Sequence, residues 1–386
     1  MRRVAARAAR VAAVALAAAL AVRSAGAAPP AQPGVLPAPE DGFAQADAPR
    51  QFLFPRDHGP HRQFRQEWWY VTGNLDGAGG ERFGFELTFF RFALAGEPGS
   101  AAPATPRSAW RAREIWMAHF AVTDVAQRRF RSAQKLSREA LGLAGGRGDP
   151  AEIWIDDWTL RERGAAPSSW TLRAAQPGYA LELTLESTGA PVLNGVQGLS
   201  RKASDPGAAS YYYSLPRLTA RGRLLRGAQV LPVQGLAWLD REWGSGGLGA
   251  RQSGWDWFGL QLADGSALMF YALRDRDGAR DPYSAGTFID PHGAAQPLAS
   301  ADVAIEVQDH WRDVRGDRYP SRWRVRIARL GLDLEVHPVL ADQELATTPR
   351  YWEGAVDVRG TRSARPLEGR GYVELVGYAG ALRQGP

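Results

Sequence analysis

From Phe52 onward the chain alternates apolar and polar residues with a period of two, and no other feature limits its possible folds as tightly. In ERFGFELTFF, Phe83, Phe85, Leu87 and Phe89 fall on one face, and Arg82, Gly84, Glu86 and Thr88 on the other. Successive side chains of a strand project to opposite sides of a sheet, so this rhythm specifies a strand. It returns in YALELTLES (Leu181, Leu183, Leu185), in SRWRVRIARLGLDLEVHPVL (Trp323, Val325, Ile327, then Leu332, Leu334, Val336) and in GYVELVGY. Asp76-Gly77, Asp264-Gly265 and Asp277-Gly278 separate such runs with residues suited to hairpin turns. Helical periodicity is scarce, and KLSREALGLA, residues 135–144, is the best short helix candidate. The expectation is a chain that is nearly all β.

An internal echo suggests duplication. WYVTGNLDG carries Trp69 seven residues before Asp76, WFGLQLADG carries Trp257 seven before Asp264, and each is followed by an aromatic return strand, FELTFFR and MFYALR. Two successive antiparallel barrels or sandwiches are therefore expected, covering residues 51–226 and 227–386, with the boundary in ARGRLLRGAQ near Arg226. Barrel closure suits many strands because it removes exposed edges. Residues 1–27 have the basic start, apolar run and small-residue site (Ala25-Gly26-Ala27) of an export signal, which predicts a periplasmic or secreted protein. Residues 28–50, rich in Ala and Pro, are expected to be a flexible leader.

Charge narrows the function classes. Five arginines of the signal (Arg2, Arg3, Arg7, Arg10, Arg23) account for most of the formal +6, so the chain after cleavage would carry +1 and gives no reason to expect nucleic acid as a partner. No later stretch approaches the roughly 20 apolar residues of a membrane-spanning helix. The chain has no cysteine, which excludes thiolate catalysis and thiolate metal sites.

GSGGLG, residues 244–249, matches G-x-G-x-x-G, but the segment after it alternates like a strand, whereas dinucleotide binding needs a helix there. No G-x-S-x-G occurs, and neither Lys135 nor Lys202 lies in a phosphate loop. Asp57, His58 and His61 in DHGPH are zinc-compatible residue types, yet hydrogen-bonded loop positions are the more economical expectation, and neither metal nor cofactor is expected.

Carboxylates on apolar strand faces are more informative. Asp240 and Glu242 share parity with Leu236 and Trp238, Asp256 with Phe258, Leu260 and Leu262, and Glu67 with Trp69 and Val71. A carboxylate on a dry face is costly unless paired, and an unpaired one tends to stay protonated, as a general acid must be. The competing expectation is a buried ion pair, with Arg241, Arg251 and Arg274 near in sequence. Asp240, Glu242 and Asp256 are the catalytic candidates. Glu67, Trp68, Trp69, Tyr70, His119, Trp243, Trp255, Trp257 and Tyr271 are the candidate lining of an apolar pocket. His119 shares the parity of Ile115 and Met117, which would direct it inward.

FPRDHGPHRQFRQEWWYVTGNL, WMAHFAVTD, SYYYSLPRL, GLAWLDREWGS, GWDWFGLQLADGSALMFYALR, YWEGAV and GRGYVELVGYAG, in this order, give the chain a family resemblance. From about residue 51 to 380 it resembles the AttH-like, carotenoid 1,2-hydratase-like proteins, also called the hydroxyneurosporene synthase family or lipocalin-like secreted proteins. The resemblance implies two consecutive lipocalin-like antiparallel β-barrels, with a site within or between them. It also implies addition of water across a terminal alkene after protonation by an acidic side chain, pericyclic cyclisation in fungal relatives, and an ABC-transporter permease as a candidate partner. The chain departs from the hydratase pattern at Arg241, where a histidine is usual, and at Tyr271-Ala272-Leu273, where Tyr-x-Asp is usual.

Three expectations follow. The first is an exported protein that binds an apolar or amphipathic, lipid-like or isoprenoid-like ligand and exchanges it with an envelope ABC transporter. The second is a hydro-lyase or isomerase on a terpenoid-like alkene, with a carboxylic acid as proton donor and tryptophan faces stabilising a carbocation. The third is a secreted glycan-binding protein or hydrolase, since tryptophans beside carboxylates also suit sugars.

Overall fold

A computed structural model describes residues 42–94, 112–164, 168–187 and 189–379, so the expected export signal, residues 1–27, lies outside the described residues. Strand pairing follows the period-two runs closely. Among the described residues, thirteen strands form one sheet. Its order begins with β4 (Arg129–Arg138), β3 (Glu114–Asp124), β2 (Arg82–Ala93) and β1 (Gln66–Gly77). It continues through β13 (Gln229–Gly244), β12 (Ala209–Arg226), β9 (Tyr179–Ser187) and β8 (Ser169–Gln176) to β7 (Trp158–Arg163), β6 (Glu152–Ile155) and β5 (Ala144–Arg147). Short β10 (Val192–Leu193) and β11 (Leu199–Arg201) also pair with β12.

Ten strands form the second sheet. Its order is β17 (Ala295–Ala299), β16 (Ala285–Ile289), β15 (Ala267–Asp275), β14 (Gln252–Leu262), β23 (Arg365–Val376), β22 (Tyr351–Arg362), β20 (Leu332–Pro338), β19 (Arg318–Ile327) and β18 (Ala304–Arg312), with β21 (Glu344–Leu345) on β22. In both sheets the leading strand of the first hairpin pairs with the last strand of its unit, β1 with β13 and β14 with β23. Each sheet curls around its own apolar core. Trp69, Phe85, Leu87, Trp116 and Leu183 fill the first. Phe258, Leu260, Trp323, Val325 and Leu334 fill the second. The architecture is two consecutive lipocalin-like antiparallel β-barrels.

Three local expectations change. Residues 135–144 form no helix: Lys135 to Arg138 complete β4, a turn follows, and β5 starts at Ala144. Ladder pairing with β3, where Lys135 faces Ala118, overrides local helical propensity. The turn just after Arg226 is the tip of the β12–β13 hairpin, where Arg226 pairs with Gln229, and the chain leaves the first sheet only between Gly244 and Gln252. Exposed polar residues along this ribbon imitate a linker. The end of the leader is docked: Ala44 N donates to Gln63 O at 2.9 Å, Tyr211 Oη donates to Ala48 O at 2.8 Å, and Ala46 is buried.

The barrels meet through their outer faces. Asn74 Nδ2 donates to Gly371 O at 3.0 Å, Gln261 Nε2 to Ala237 O at 3.0 Å, and Thr123 Oγ1 to Gln343 Oε1 at 2.8 Å. Arg82 pairs with Asp357 at 2.7 Å and Arg370 with Asp76 at 2.7 Å across the same boundary. The polar face of β2 is therefore buried as well from Gly84 to Phe90. Gly84 marks the closest approach, since a Cβ there would lie 2.6 Å from Ala355 Cβ. Gly84→Leu should wedge the barrels apart and lower stability by about 1–3 kcal/mol. Urea unfolding checks this, and an unchanged midpoint would show that the interface yields.

Candidate functional site

Alternation along the strands divides the candidate residues between two kinds of space. On β1, Glu67, Trp69 and Val71 point into the first barrel, while Gln66, Trp68 and Tyr70 point out of it toward the second. On β13, Arg241 and Trp243 point in, while Asp240 and Glu242 point out. On β14, Phe258 and Leu260 fill the second barrel, while Trp255 and Trp257 face the first. Between these outer faces lies a small cleft, partly open to solvent, with an enclosed volume of about 100 Å³.

Cross-strand register fixes the order of groups along the wall. One row of the first barrel runs Thr88, Tyr70, Asp240, Ser214, and the next runs Phe90, Trp68, Glu242, Tyr212. A row of the second barrel runs Tyr271, Trp257, Glu374, Glu353. Trp68, Tyr70, Trp255, Trp257 and Tyr271, all expected in a pocket, do line the cleft, as do Asp240 and Glu242.

Asp240 is the most constrained of these groups. Its carboxyl accepts hydrogen bonds from Tyr212 Oη, Ser214 Oγ and Trp238 Nε1, the last at 2.6 Å. Tyr212 Oη in turn accepts from Trp257 Nε1 at 3.1 Å, a link from the opposite wall. Burial of the carboxyl nevertheless outweighs these donors and pushes its pKa up to about 7. Glu374, across the cleft, accepts one hydrogen bond from Trp255 Nε1 at 3.0 Å. Burial raises it to about 7 as well, with the charges of Asp240 and Glu242 adding to the rise. Two carboxyls on opposite walls are thus poised to exchange protons at neutral pH.

Glu242 has a different situation. Ser210 Oγ donates to it, and Lys202 Nζ lies 3.1 Å away, packed 3.9 Å from the centroid of the Tyr271 ring. Burial opposes charge on Lys202, but Glu242 more than offsets this and holds the ammonium protonated. The pair is a fixed dipole in the wall.

The other candidates serve the barrels. Asp256 points into the second barrel, 2.7 Å from Arg274 Nη1 and 2.9 Å from Tyr378 Oη. Glu67 is fully buried in the first barrel between Arg91 and Arg241, and it accepts from His61 N at 2.9 Å. The Arg241 guanidinium lies 3.7 Å from the Trp69 ring centroid, and Trp243 stacks on His61 at 3.8 Å. Arg241, where the chain departs from the hydratase pattern, is therefore a core residue turned away from the cleft. His119 points out of its barrel rather than inward. It lies behind the cleft wall, with Nδ1 2.8 Å from Tyr351 Oη, and burial lowers its pKa to about 3, so it is neutral. In DHGPH, His61 Nε2 hydrogen bonds Asp57 at 3.1 Å and His58 Nδ1 hydrogen bonds Tyr213 Oη at 2.5 Å, as loop and core positions do.

A pH dependence follows. Asp240 has a folded pKa near 7, above its ordinary 3.8, so its contribution to stability is greatest at low pH and is lost as pH rises to about 7. Asp240→Asn removes that loss. Relative to wild type, the variant should be more stable at pH 8 than at pH 5, as read by urea unfolding at both values.

The AttH-like family profile matches residues 45–378. An AttH protein from Nitrosomonas europaea is 33% identical, with a TM-score of 0.76 over 87% of this chain and 100% of that one. Dehydratase asqC of Emericella nidulans is 25% identical over 216 residues, 53% of this chain and 60% of that protein, so the chain spans less than two thirds of it. Kievitone hydratase from Nectria haematococca, at 14% identity, shares the fold with a TM-score of 0.64 over 89% of this chain and 98% of that one.

Proposed function

Because the chain belongs to the AttH-like family, and a dehydratase is among its relatives, we propose that it is a hydro-lyase acting on an apolar substrate held between the two barrels. The observation that carries this reading is the pair Asp240 and Glu374, each on its own wall of one cleft and each titrating near 7. General acid–base catalysis works best with groups whose pKa lies near the working pH. In the dehydration direction, Asp240 is suited to take a proton from carbon, because three donors stabilise its anion. Glu374, with one donor, is suited to give its proton to the departing hydroxyl. Hydration reverses both roles, so Asp240 then protonates the alkene carbon and Glu374 takes a proton from water.

Trp68, Trp255 and Trp257 supply apolar walls around the substrate. A pure carrier, the first expectation from sequence, would bury two neutral acids in its cleft for no binding gain, and nothing in the site favours a transporter as recipient. Export through residues 1–27 would place the reaction in the periplasm or outside the cell.

Mass spectrometry tests the proposal. Incubation with a panel of alkenes, tertiary alcohols and hydroxy ketones should change one of them by the mass of a single water. A panel left unchanged by wild type, with a ligand retained intact, would favour the carrier instead.

A further inference from the structure

The acid–base pair leaves one part of the cleft without a task. Tyr70 and Thr88 line it as register partners on β1 and β2, and Tyr70 is also the register partner of Asp240. Tyr70 is 7% exposed and Thr88 1%, yet Tyr70 Oη and Thr88 Oγ1 have no hydrogen-bond partner. Buried hydroxyls are seldom left unpaired, because each then forfeits its hydrogen bonds to water with nothing in exchange. Two such groups side by side, next to a proton-exchanging carboxyl, form a built site for a ligand atom.

The chemistry behind them says which atom. The Glu353 carboxyl lies against Tyr70 and the Glu86 carboxyl against Thr88, neither in hydrogen-bonding geometry. Burial, reinforced in Glu353 by the neighbouring Glu86 and in both by Glu374, keeps these carboxyls protonated and neutral. With no acceptor in hydrogen-bonding geometry, each hydroxyl hydrogen is free to point into the cleft. The site therefore offers two uncharged donors and suits a neutral acceptor oxygen. A carboxylate ligand would find acids around it, with Lys202 already paired to Glu242.

We propose that Tyr70 and Thr88 hold the carbonyl oxygen of the substrate, which makes that substrate a β-hydroxy carbonyl compound and its product the α,β-unsaturated carbonyl. The proposal rests on the hydro-lyase reading and narrows it. Asp240 takes the α-hydrogen as a proton, and the C–H electron pair forms the carbon–carbon bond of an enol-like intermediate as carbonyl π electrons move onto the oxygen held by the two hydroxyls. The electrons then return from oxygen, the Cα–Cβ double bond forms, and the Cβ–O bond breaks as Glu374 protonates the leaving hydroxide to water. A phenol backed by a neutral carboxylic acid stabilises a developing enolate without adding a charge to the site.

Two matched probes test it, benzylideneacetone and β-methylstyrene, which differ by one carbonyl group. Wild type should bind the ketone roughly tenfold more tightly than the hydrocarbon, as the added hydrogen bonds allow once desolvation is offset, and the infrared carbonyl stretch of the bound ketone should move to lower frequency. Tyr70→Phe combined with Thr88→Val should abolish that shift and the tenfold preference while leaving β-methylstyrene binding unchanged. Equal affinity of wild type for the two probes, or an unshifted carbonyl band, would overturn the assignment without any variant. In that case, turnover of alcohols lacking a carbonyl would leave the hydro-lyase reading standing. Absence of any water addition or loss, with or without a carbonyl, would overturn both.

Discussion

Asp240→Asn is expected to lower kcat/KM by roughly a hundredfold to ten-thousandfold, the usual contribution of one acid–base group. The near-isosteric amide keeps the contacts to Tyr212, Ser214 and Trp238 within reach, so the near-UV circular dichroism of the variant should match wild type. Glu374→Gln should cause a loss of the same order. Asp256→Asn serves as the discriminating control, because that carboxyl faces Arg274 and Tyr378 inside the second barrel and should not alter turnover. If Asp256→Asn abolished activity while Asp240→Asn did not, the chemistry would belong to the barrel interior rather than to the cleft. Asp240 and Glu374 sense one another, so the pH–rate profile should be bell-shaped with two apparent pKa values of the pair flanking neutrality.

The largest effect on stability is expected at Glu67. Its carboxylate is held ionised against the cost of burial by Arg91 first and Arg241 second, and all three side chains are fully buried. Glu67→Ala would strand two guanidinium groups in the core of the first barrel, and removing one partner of a buried pair typically costs about 3–5 kcal/mol. Urea unfolding of the variant should show a correspondingly lower midpoint. A change within experimental error would mean that water reaches the two arginines, and the first barrel would then be less closed than its core packing implies. Glu67 also links sequence to site indirectly, because the ion cluster anchors β1, β2 and β13, the three strands that carry Tyr70, Thr88 and Asp240 on their opposite face.

Much of this was legible in the sequence because strand parity is a strict geometric rule. Pairing Asp240 with Glu242, and Trp68 with Tyr70, on common faces required nothing beyond counting, and both pairs line the cleft. Parity cannot say which face is interior when both are buried, as on β1, β2 and β13, and so Glu67, Trp69 and Trp243 fell among the pocket candidates. Their carboxylate and rings serve the first barrel, and the outer row became the site only because a second barrel covers it. Glu374 was missed for the same reason. In GYVELVGY it occupies the polar half of an ordinary alternation, and nothing local distinguishes a solvated face from one pressed against a neighbouring barrel. Lys202 and Tyr212 lie in SRKASDPGAASYYYSLPRL, where a mid-sequence turn hides that both reach one cleft. The internal echo located equivalent hairpins correctly, but Trp69 faces a barrel core and Trp257 faces the cleft, a one-residue difference in phase that composition does not record.

Isotope exchange tests the central claim most directly, since it detects reversible water loss even where the net equilibrium lies far to one side. The protein would be incubated with hydroxy ketones and tertiary alcohols in water labelled with heavy oxygen, and the alcohols recovered for mass spectrometry. The account predicts that wild type exchanges the hydroxyl oxygen of at least one β-hydroxy ketone and that Asp240→Asn and Glu374→Gln do not. Exchange undiminished in both variants, or none with any alcohol in the folded wild-type protein, would contradict it.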